Sequence, residues 1–325
     1  MLNAKNSSKF TKNSKILIGL AAILAILYVL SFTKSCTSTD KREKVKTALV
    51  NQKYKDSIES IILQDATGTL VLKNIGSFWT VARDTESIYG PIQLRVDIPA
   101  SPERINNFIE ELIKVRNLYK ISDKINSNSS LGLTNGTEFH IRYNYTNESS
   151  DSESFHELIF GNQDFSLSSR YLMTGSNTQV YEIDTSLDTY LTTSVQSWAE
   201  PYIISREIIS TDIQTITASS TDEAHKGINK ITGKSEQADK LLELRHGGIP
   251  TSDQILDSSK SETLLGLDIE NGDKSSIKIK INPLANQEST YLVETNYFDS
   301  EGELIYNSYS TISSWTYNKI KEITL

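Results

Sequence analysis

The hydrophobic pattern begins with one long apolar run, which extends from Ile16 to Phe32 and contains no charged residue. An α-helix needs about 17–25 such residues to cross a bilayer, so the run predicts a transmembrane helix over residues 16–33. The tail before it, residues 1–15, carries four lysines and no acidic residue, which favours a cytoplasmic N-terminus. The flank after the run is also basic, so charge alone leaves the orientation open.

Cys36, the only cysteine of the chain, bears on the fate of this segment. The residues before it, 32–35, read FTKS, with a lysine where a lipoprotein signal would have a small residue. They also offer a poor cleavage site for a secretory signal. An uncleaved anchor is therefore favoured over a lipoprotein attached through Cys36 and over a cleaved signal. A single cysteine excludes an internal disulfide framework and a cysteine-based zinc site.

After a charged linker or stalk at residues 34–55, the pattern changes to short β-rich runs. Turn residues at 66–68 and 74–77 separate SIESIILQ, TLVLKN and SFWTVAR, which predicts antiparallel hairpins. Ser101 and Pro102 then predict the start of a helix. Its apolar residues share one face and are expected in the core: Ile105, Phe108, Ile109, Leu112 and Val115.

The next segments predict more strands and a second helix. Phe139, Ile141, Tyr143 and Tyr145 alternate with polar residues, as expected of a half-buried strand, and FHELIFG, RYLMTG and QVYEID continue the pattern. The polar stretch 147–154 predicts a hairpin tip. A helix that ends at Pro201 is predicted from an apolar face of Leu187, Tyr190, Leu191, Val195 and Trp198.

The same order of elements then occurs again. DIQTIT at 212–217 resembles DSIESI at 56–61, and a capped segment at 235–244 corresponds to the first helix. The triplet Leu-Gly-Leu at 265–267 matches the one at 131–133. We therefore predict an α+β fold in which the transmembrane helix precedes two related antiparallel-sheet-plus-helix halves, 56–205 and 206–325.

Aromatic residues recur in both predicted halves. A terminal helix that carries Ile312, Trp315, Ile320 and Ile323 mirrors the one with Trp198, so Trp79, Trp198 and Trp315 are each expected to fill a core. Strand tyrosines could supply a contact face, since tyrosine is common at interfaces. They are Tyr143, Tyr145, Tyr171, Tyr181, Tyr297, Tyr306 and Tyr309.

Composition and charge narrow the class of protein. Hydrophobic residues make up 37% and charged residues 23% of the chain, which is ordinary for a folded body. The net charge of −8 argues against nucleic acid as a partner, because phosphate contacts need a basic face.

The patterns that suggest chemistry are weak. Arg245-His246-Gly247 resembles a phosphohistidine loop, but His246 is the last histidine of the chain, so Gly247-Gly248 are taken as a helix stop. His140, His156 and His225 lack neighbours at metal-ligand spacing.

The acidic group Asp268, Glu270 and Asp273 surrounds a hairpin turn and does not follow the residue order of an EF-hand. No nucleotide-binding or serine-hydrolase motif is present. We therefore predict no catalytic, cofactor-binding or metal-binding residue, and no enzyme.

One family shares this arrangement. An apolar anchor, the strands from Ile58 to Val81, the helix PERINNFIEELIKVRNL, the Leu-Gly-Leu triplet, ELIFGNQ and VYEID together resemble the bacterial family of domain of unknown function 4340. The likeness covers most of Ile58 to Thr217 and extends more weakly into the second half. None of these motifs is diagnostic by itself.

The resemblance implies a location and a role. Members of the family are single-pass membrane proteins with an extracytoplasmic body, often encoded beside gliding-type ABC-2 transporter components. The resemblance implies that this chain is an inner-membrane protein with its N-terminus inside. It also implies a role as a non-catalytic accessory or scaffold subunit of such a transport system. The implied partners are the bilayer and a polytopic transporter subunit whose ATPase is a separate chain. The alternatives are a periplasmic or surface binding lipoprotein and an enzyme with a dispersed site.

Overall fold

The structure, a computed structural model, describes residues 21–24, 28, 43–84, 97–123, 129–134, 136–145, 154–175, 178–209, 212–221, 227–233 and 236–325. The protein divides into two compact units, Met1–Lys44 and Val45–Leu325. Of the first unit, residues 21–24 are described as helical. Residues 147–153 of the predicted hairpin tip, Cys36 and most of the predicted span 16–33 lie outside the described residues, and Ser154 begins a strand.

The predictions of a transmembrane helix and of a single-pass inner-membrane localisation are corrected by the structure. Crossing a bilayer takes about 20 residues of continuous apolar helix. Among the residues that the structure describes, no helix is both long and apolar enough to do so.

The predicted α+β fold class is also corrected, because antiparallel strands dominate the described residues and the longest helix bounded within them has 12 residues. The strands form a ten-stranded sheet in the order β1-β6-β10-β9-β8-β7-β2-β3-β4-β5 and a six-stranded sheet in the order β12-β11-β13-β14-β15-β16. The bounds of the strands are β1 Lys44–Thr47, β2 Ile58–Asp65, β3 Gly68–Asn74, β4 Trp79–Asp84, β5 Ile98–Pro99, β6 Arg116–Ser122, β7 Phe139–Tyr145, β8 Ser154–Gln163, β9 Ser169–Thr174, β10 Val180–Asp184, β11 Ile213–Ser220, β12 Gly227–Thr232, β13 Leu265–Asn271, β14 Ser276–Pro283, β15 Thr290–Phe298 and β16 Leu304–Ser313.

The helices are short and lie between and after these strands. They are α1 Pro102–Ile113, α2 Val195–Trp198, α3 Glu236–Leu242, α4 Ser252–Ser258 and α5 Ser314–Thr324, with 3-10 helices at Gln52–Ser57, Ser129–Leu131 and Thr185–Tyr190. The predicted start of α1 is confirmed, since the Ser101 side chain accepts a hydrogen bond from the Arg104 N–H. Val115, predicted on the same face, lies beyond the helix and is exposed.

Each sheet buries alternate residues on one face. Cross-strand neighbours Tyr143, Ile61, Leu72 and Val81 are buried in the first core, where α1 packs. In the second core, the row Ile231, Ile216, Ile269, Ile277 and Tyr297 crosses five strands. The predicted alternation in β7 is confirmed for Phe139, Ile141 and Tyr143. It follows from the period of two in an extended chain.

The helix predicted up to Pro201 is wrong. Residues Thr185–Tyr190 form a 3-10 helix, and only the single turn of α2 follows. Two β-branched threonines, Thr192 and Thr193, and Ser194 separate the two pieces, and these residues favour caps and turns over a helix interior. Asp184 starts the first piece by accepting a hydrogen bond from the Ser186 N–H at 3.0 Å.

The two sheets share a strand order. The order β3-β2-β7-β8-β9-β10 in the first sheet corresponds to β12-β11-β13-β14-β15-β16 in the second. The triplet at 131–133 does not belong to this correspondence, because it lies at the end of a 3-10 helix whereas Leu265–Leu267 lie in β13. Pattern matching paired the wrong segments there. The division into domains 56–205 and 206–325 stays a prediction.

Candidate functional site

A groove of about 540 Å³ opens beside the C-terminal end of α1. This volume is within the range of about 300–1,000 Å³ that is typical of ligand sites. Apolar parts of its lining come from Leu49, Tyr54, Ile113, Val115 and Tyr143. Hydrogen-bonding groups are added by Thr47, Asn51, Gln52 and Lys53.

The segment that forms one wall of the groove is held by backbone contacts. The N–H groups of Leu49 and Val50 both donate to the Leu112 carbonyl, at 3.1 and 3.0 Å, which is one of the carbonyls that the end of a helix leaves free. The Asn51 side chain then caps the 3-10 helix by accepting from the Lys53 N–H. The wall is therefore fixed to α1 before any ligand is present.

One lysine borders the groove. Among its described lining residues, Lys53 is the one with a charged side chain, and its ammonium lies 4.4 Å from the centre of the Tyr54 ring. The nearby carboxylates are neutralised in ion pairs, Glu110 with Lys55 and Glu111 with Lys114. The groove thus combines aromatic surface, amides and a cation, and this combination can bind an extended chain.

A second feature is a buried polar cluster in which residues 200–205, 245–248 and β15 meet. The His246 Nε2 lies 2.7 Å from the Glu200 carbonyl oxygen, and the Ser205 N–H donates to the Tyr297 hydroxyl at 2.8 Å. Glu200 Oε2 and His246 Nδ1 are buried without a hydrogen-bond partner. The Tyr306 hydroxyl is equally unsatisfied, and its ring packs edge-on against Phe78 at 5.2 Å.

Burial shifts the ionisation of these groups. It raises the pKa of the Glu200 carboxyl, although hydrogen bonds from Ser205 and Arg206 oppose the shift. It lowers the pKa of the His246 imidazole and raises the pKa of the Tyr297 hydroxyl. Each shift favours the neutral form, as expected where water is excluded. The cluster is therefore a structural junction in which keeping the Glu200 carboxyl ionised costs stability.

We expect Glu200→Gln to raise the free energy of unfolding at pH 8 by on the order of 1 kcal/mol. The stability that protonated Glu200 contributes is fully present below its ordinary pKa of 4.5 and is lost as pH rises through the raised value. His246 acts in the opposite direction, since its contribution is lost as pH falls below the ordinary value of 6.5. Urea unfolding at pH 5 and pH 8 measures both effects.

Glu243→Gln is the matched control, because Glu243 is an exposed carboxylate three residues before His246 and is not among the groups that shift the pKa of Glu200. Its stability change should stay within about 0.5 kcal/mol at both pH values. A gain in stability for both variants, or a loss for Glu200→Gln at pH 8, would contradict the proposed cost of the buried charge.

One family profile matches the chain. The family described as "Domain of unknown function (DUF4340)" matches residues 92–278, which is more than half of the sequence. The chain belongs to this family. No curated protein and no solved structure matches it.

The DUF4340 match begins after β4 and ends within β14, so it includes parts of both sheets. The sequence resemblance placed the family over Ile58 to Thr217, and the match is shifted toward the second sheet. The polar cluster contributes Glu200 and His246 to the matched region, whereas Tyr297 and Tyr306 lie beyond it. The groove contributes Ile113, Val115 and Tyr143.

The histidines that the sequence singled out have different surroundings in this DUF4340 protein. His140 lies on β7, where its Nδ1 is 2.8 Å from Glu157 Oε1, and the same oxygen accepts from Arg142 at 2.7 Å. His225 and the side chain of His156 lie outside the described residues. No group of three potential metal ligands occurs among the residues that the structure describes.

Other sequence predictions for local sites are corrected or confirmed. Helix α3 ends at Leu242, so Gly247-Gly248 are not its stop, and Gly248 instead forms an isolated bridge with Thr311 of β16. The predicted turn near Asp273 is confirmed, since its carboxylate accepts hydrogen bonds from the Ser275 N–H and hydroxyl. Tyr143, Tyr181 and Tyr297 are buried and do not form a contact face.

Sequence reasoning did not find the groove. Its lining comes from three separate segments, 47–54, 113–115 and Tyr143. The available signal was Val115, an apolar residue that continues the α1 stripe one residue past the C-cap, Lys114. Because Val115 lies beyond the end of the helix, its side chain is not on the face that packs against the core.

Proposed function

We propose that this DUF4340 protein is a non-catalytic accessory subunit whose groove binds a segment of another protein. The observation that supports the proposal is the open groove with its fixed wall, aromatic lining and exposed Val115. Sites of this kind bind protein segments when anchoring side chains enter an apolar pocket and a polar rim surrounds them. Because the wall is held by the Leu112 carbonyl, binding would cost little ordering of the protein itself.

We further propose that the partner is a polytopic subunit of a gliding-type ABC-2 transport system, with its ATPase on a separate chain. This part of the proposal rests on the resemblance described from the sequence, which implies an accessory role beside such systems, since the family itself is described as a domain of unknown function. The groove is consistent with it, because a scaffold subunit needs a surface for a partner chain.

The proposal predicts that Val115→Glu abolishes partner binding and leaves the fold intact. Val115 is 57% exposed, so a charge there should change stability by less than about 0.5 kcal/mol. In a bound complex the same charge would be desolvated, which should reduce recovery of the partner by about tenfold or more. The measurement is quantitative mass spectrometry of proteins that co-purify with the tagged full chain in mild detergent.

Leu256→Glu provides the matched control, since Leu256 is 55% exposed and does not line the groove. We expect a transport-system subunit to be recovered with the wild type and with this control. Purification of the wild type as a lone monomer, or equal recovery of the subunit with Val115→Glu, would overturn the proposal.

A further inference from the structure

The six-stranded sheet repeats the first sheet residue by residue around its first hairpin. Ile61 pairs with Leu72 and Asp65 with Gly68 in β2 and β3, while Ile216 pairs with Ile231 and Ser220 with Gly227 in β11 and β12. Each opening strand also carries a register shift at the same place. It follows Ile58 in β2 and Ile213 in β11, three residues before the matching buried isoleucine.

The two hairpins differ in what lies beyond their second strand. In the first sheet β3 pairs on its outer side with β4, from Thr69 opposite Asp84 to Asn74 opposite Trp79. In the second sheet the equivalent strand, β12, is the last of its sheet. No described strand therefore occupies the position that β4 takes in the first sheet.

The side chains of β12 on the face away from the core are exposed to solvent. Ile228 is 79% exposed, and Gly227, Lys230 and Thr232 are also exposed. An edge strand presents a row of backbone donors and acceptors, and charged residues or covering segments usually protect it. Here the edge strand carries one lysine, Lys230, beside the exposed Ile228.

We propose that the outer edge of β12 binds an extended segment of another protein, which adds to the sheet as an antiparallel strand in the position of β4. In such strand addition, backbone hydrogen bonds would supply most of the affinity. Every second side chain of the added strand would supply the specificity. This site is separate from the groove and does not rest on the function proposed for it.

The residues of β12 indicate which segment fits. Ile231 corresponds to Leu72, whose outer neighbour is the buried Val81, so the added strand should place an apolar residue beside Ile231. Lys230 corresponds to Val71, whose outer neighbour is Ala82. Opposite charges across a strand pair are favourable and like charges are not, so the segment should carry an acidic residue opposite Lys230. A second copy of β12 centred there would oppose two lysines.

The test uses a labelled synthetic peptide that copies the β4 segment of this chain, with glutamate at the position of Ala82. Its affinity for the full-length protein is measured by fluorescence anisotropy, and hydrogen exchange locates the contact. We expect the glutamate peptide to bind about two- to fivefold more tightly than the same peptide with lysine. Lys230→Glu should reverse that order.

Ile228→Lys should remove binding, because it replaces the exposed apolar side chain of the edge with a second lysine beside Lys230, and further charge on an edge opposes strand addition. Leu304→Lys, a change at another exposed apolar residue, should leave it intact, as should Val115→Glu in the groove. Circular dichroism checks that the variants are folded. Equal affinity for both peptides, an order that Lys230→Glu does not change, or protection of the β12 amides by self-association without peptide would each overturn the proposal.

Discussion

Trp198→Ala is expected to lower the free energy of unfolding by about 3–5 kcal/mol, as large-to-small changes of buried aromatic residues do. The indole is fully buried and lies at the centre of the first core. Its ring meets Phe108 edge-on with centroids 5.1 Å apart, and its Nε1 donates to the Thr192 carbonyl at 3.0 Å. The Arg104 guanidinium stacks over the ring at 4.6 Å. Alanine would remove all of these contacts and leave a cavity.

Trp315→Ala is the matched control for this change. Trp315 is 70% exposed at the start of α5, so its removal should shift stability by less than about 0.5 kcal/mol. Urea unfolding of both variants gives the comparison. Similar losses for the two tryptophans would contradict the assignment of Trp198 to the core and Trp315 to the surface.

Arg116→Met is expected to lower the free energy of unfolding by roughly 2–4 kcal/mol, because it removes a buried guanidinium that donates hydrogen bonds to two carboxylates and a hydroxyl. The Arg116 side chain is 3% exposed. Its Nη1 donates to the Ser186 hydroxyl at 2.8 Å and to Asp184 at 3.2 Å, and its Nη2 donates to Glu111 Oε2 at 3.1 Å. The guanidinium thus joins α1, β6 and the segment after β10, and methionine fills the volume without any of these bonds.

Lys114→Met tests whether the effect belongs to the buried guanidinium. Lys114 pairs with the same carboxylate, Glu111, at 2.9 Å, but its side chain is 59% exposed. Exposed ion pairs contribute little, so the loss should stay within about 0.5 kcal/mol. Thermal or urea unfolding decides the matter, and a loss for Lys114→Met as large as that for Arg116→Met would show that burial is not the cause.

Local patterns predicted much of the first sheet. The alternation in SIESIILQ and TLVLKN corresponds to β2 and β3, and Ser101 with Pro102 starts α1 as predicted. These features depend on neighbours within a few residues along the chain, since side-chain direction alternates in a strand and a cap acts within one turn. The same reasoning placed β11 and α3.

Predictions about burial failed where they relied on residue type alone. Trp315 was expected in a core because its predicted helix mirrors the one with Trp198, yet α5 turns Tyr317, Ile320 and Ile323 inward and leaves Trp315 in solvent. The helix predicted with Leu187 and Trp198 failed for a similar reason. A shared apolar spacing was present, but local capping by Asp184 and the intervening threonines outweighed it.

The candidate sites could not be read from the sequence, because each joins distant parts of the chain. Glu200, His246 and Tyr297 share one buried junction although about 100 residues separate the first from the last. The groove likewise depends on the Leu112 carbonyl holding Leu49 and Val50. No spacing rule along the chain encodes such contacts.

The sequence by itself determined the strands of both hairpins, the first helix and the family, because those follow from short-range periodicity and from motifs in order. Only the tertiary structure decided which tryptophan is buried, where the groove opens, how Glu200 and His246 are desolvated, and that β12 ends its sheet. These properties depend on which surfaces meet when distant segments pack together. A free sheet edge in particular depends on which strands pair, since β12 is an edge because no described strand pairs with its outer side. The residues of a strand do not by themselves predict whether a neighbouring strand is present.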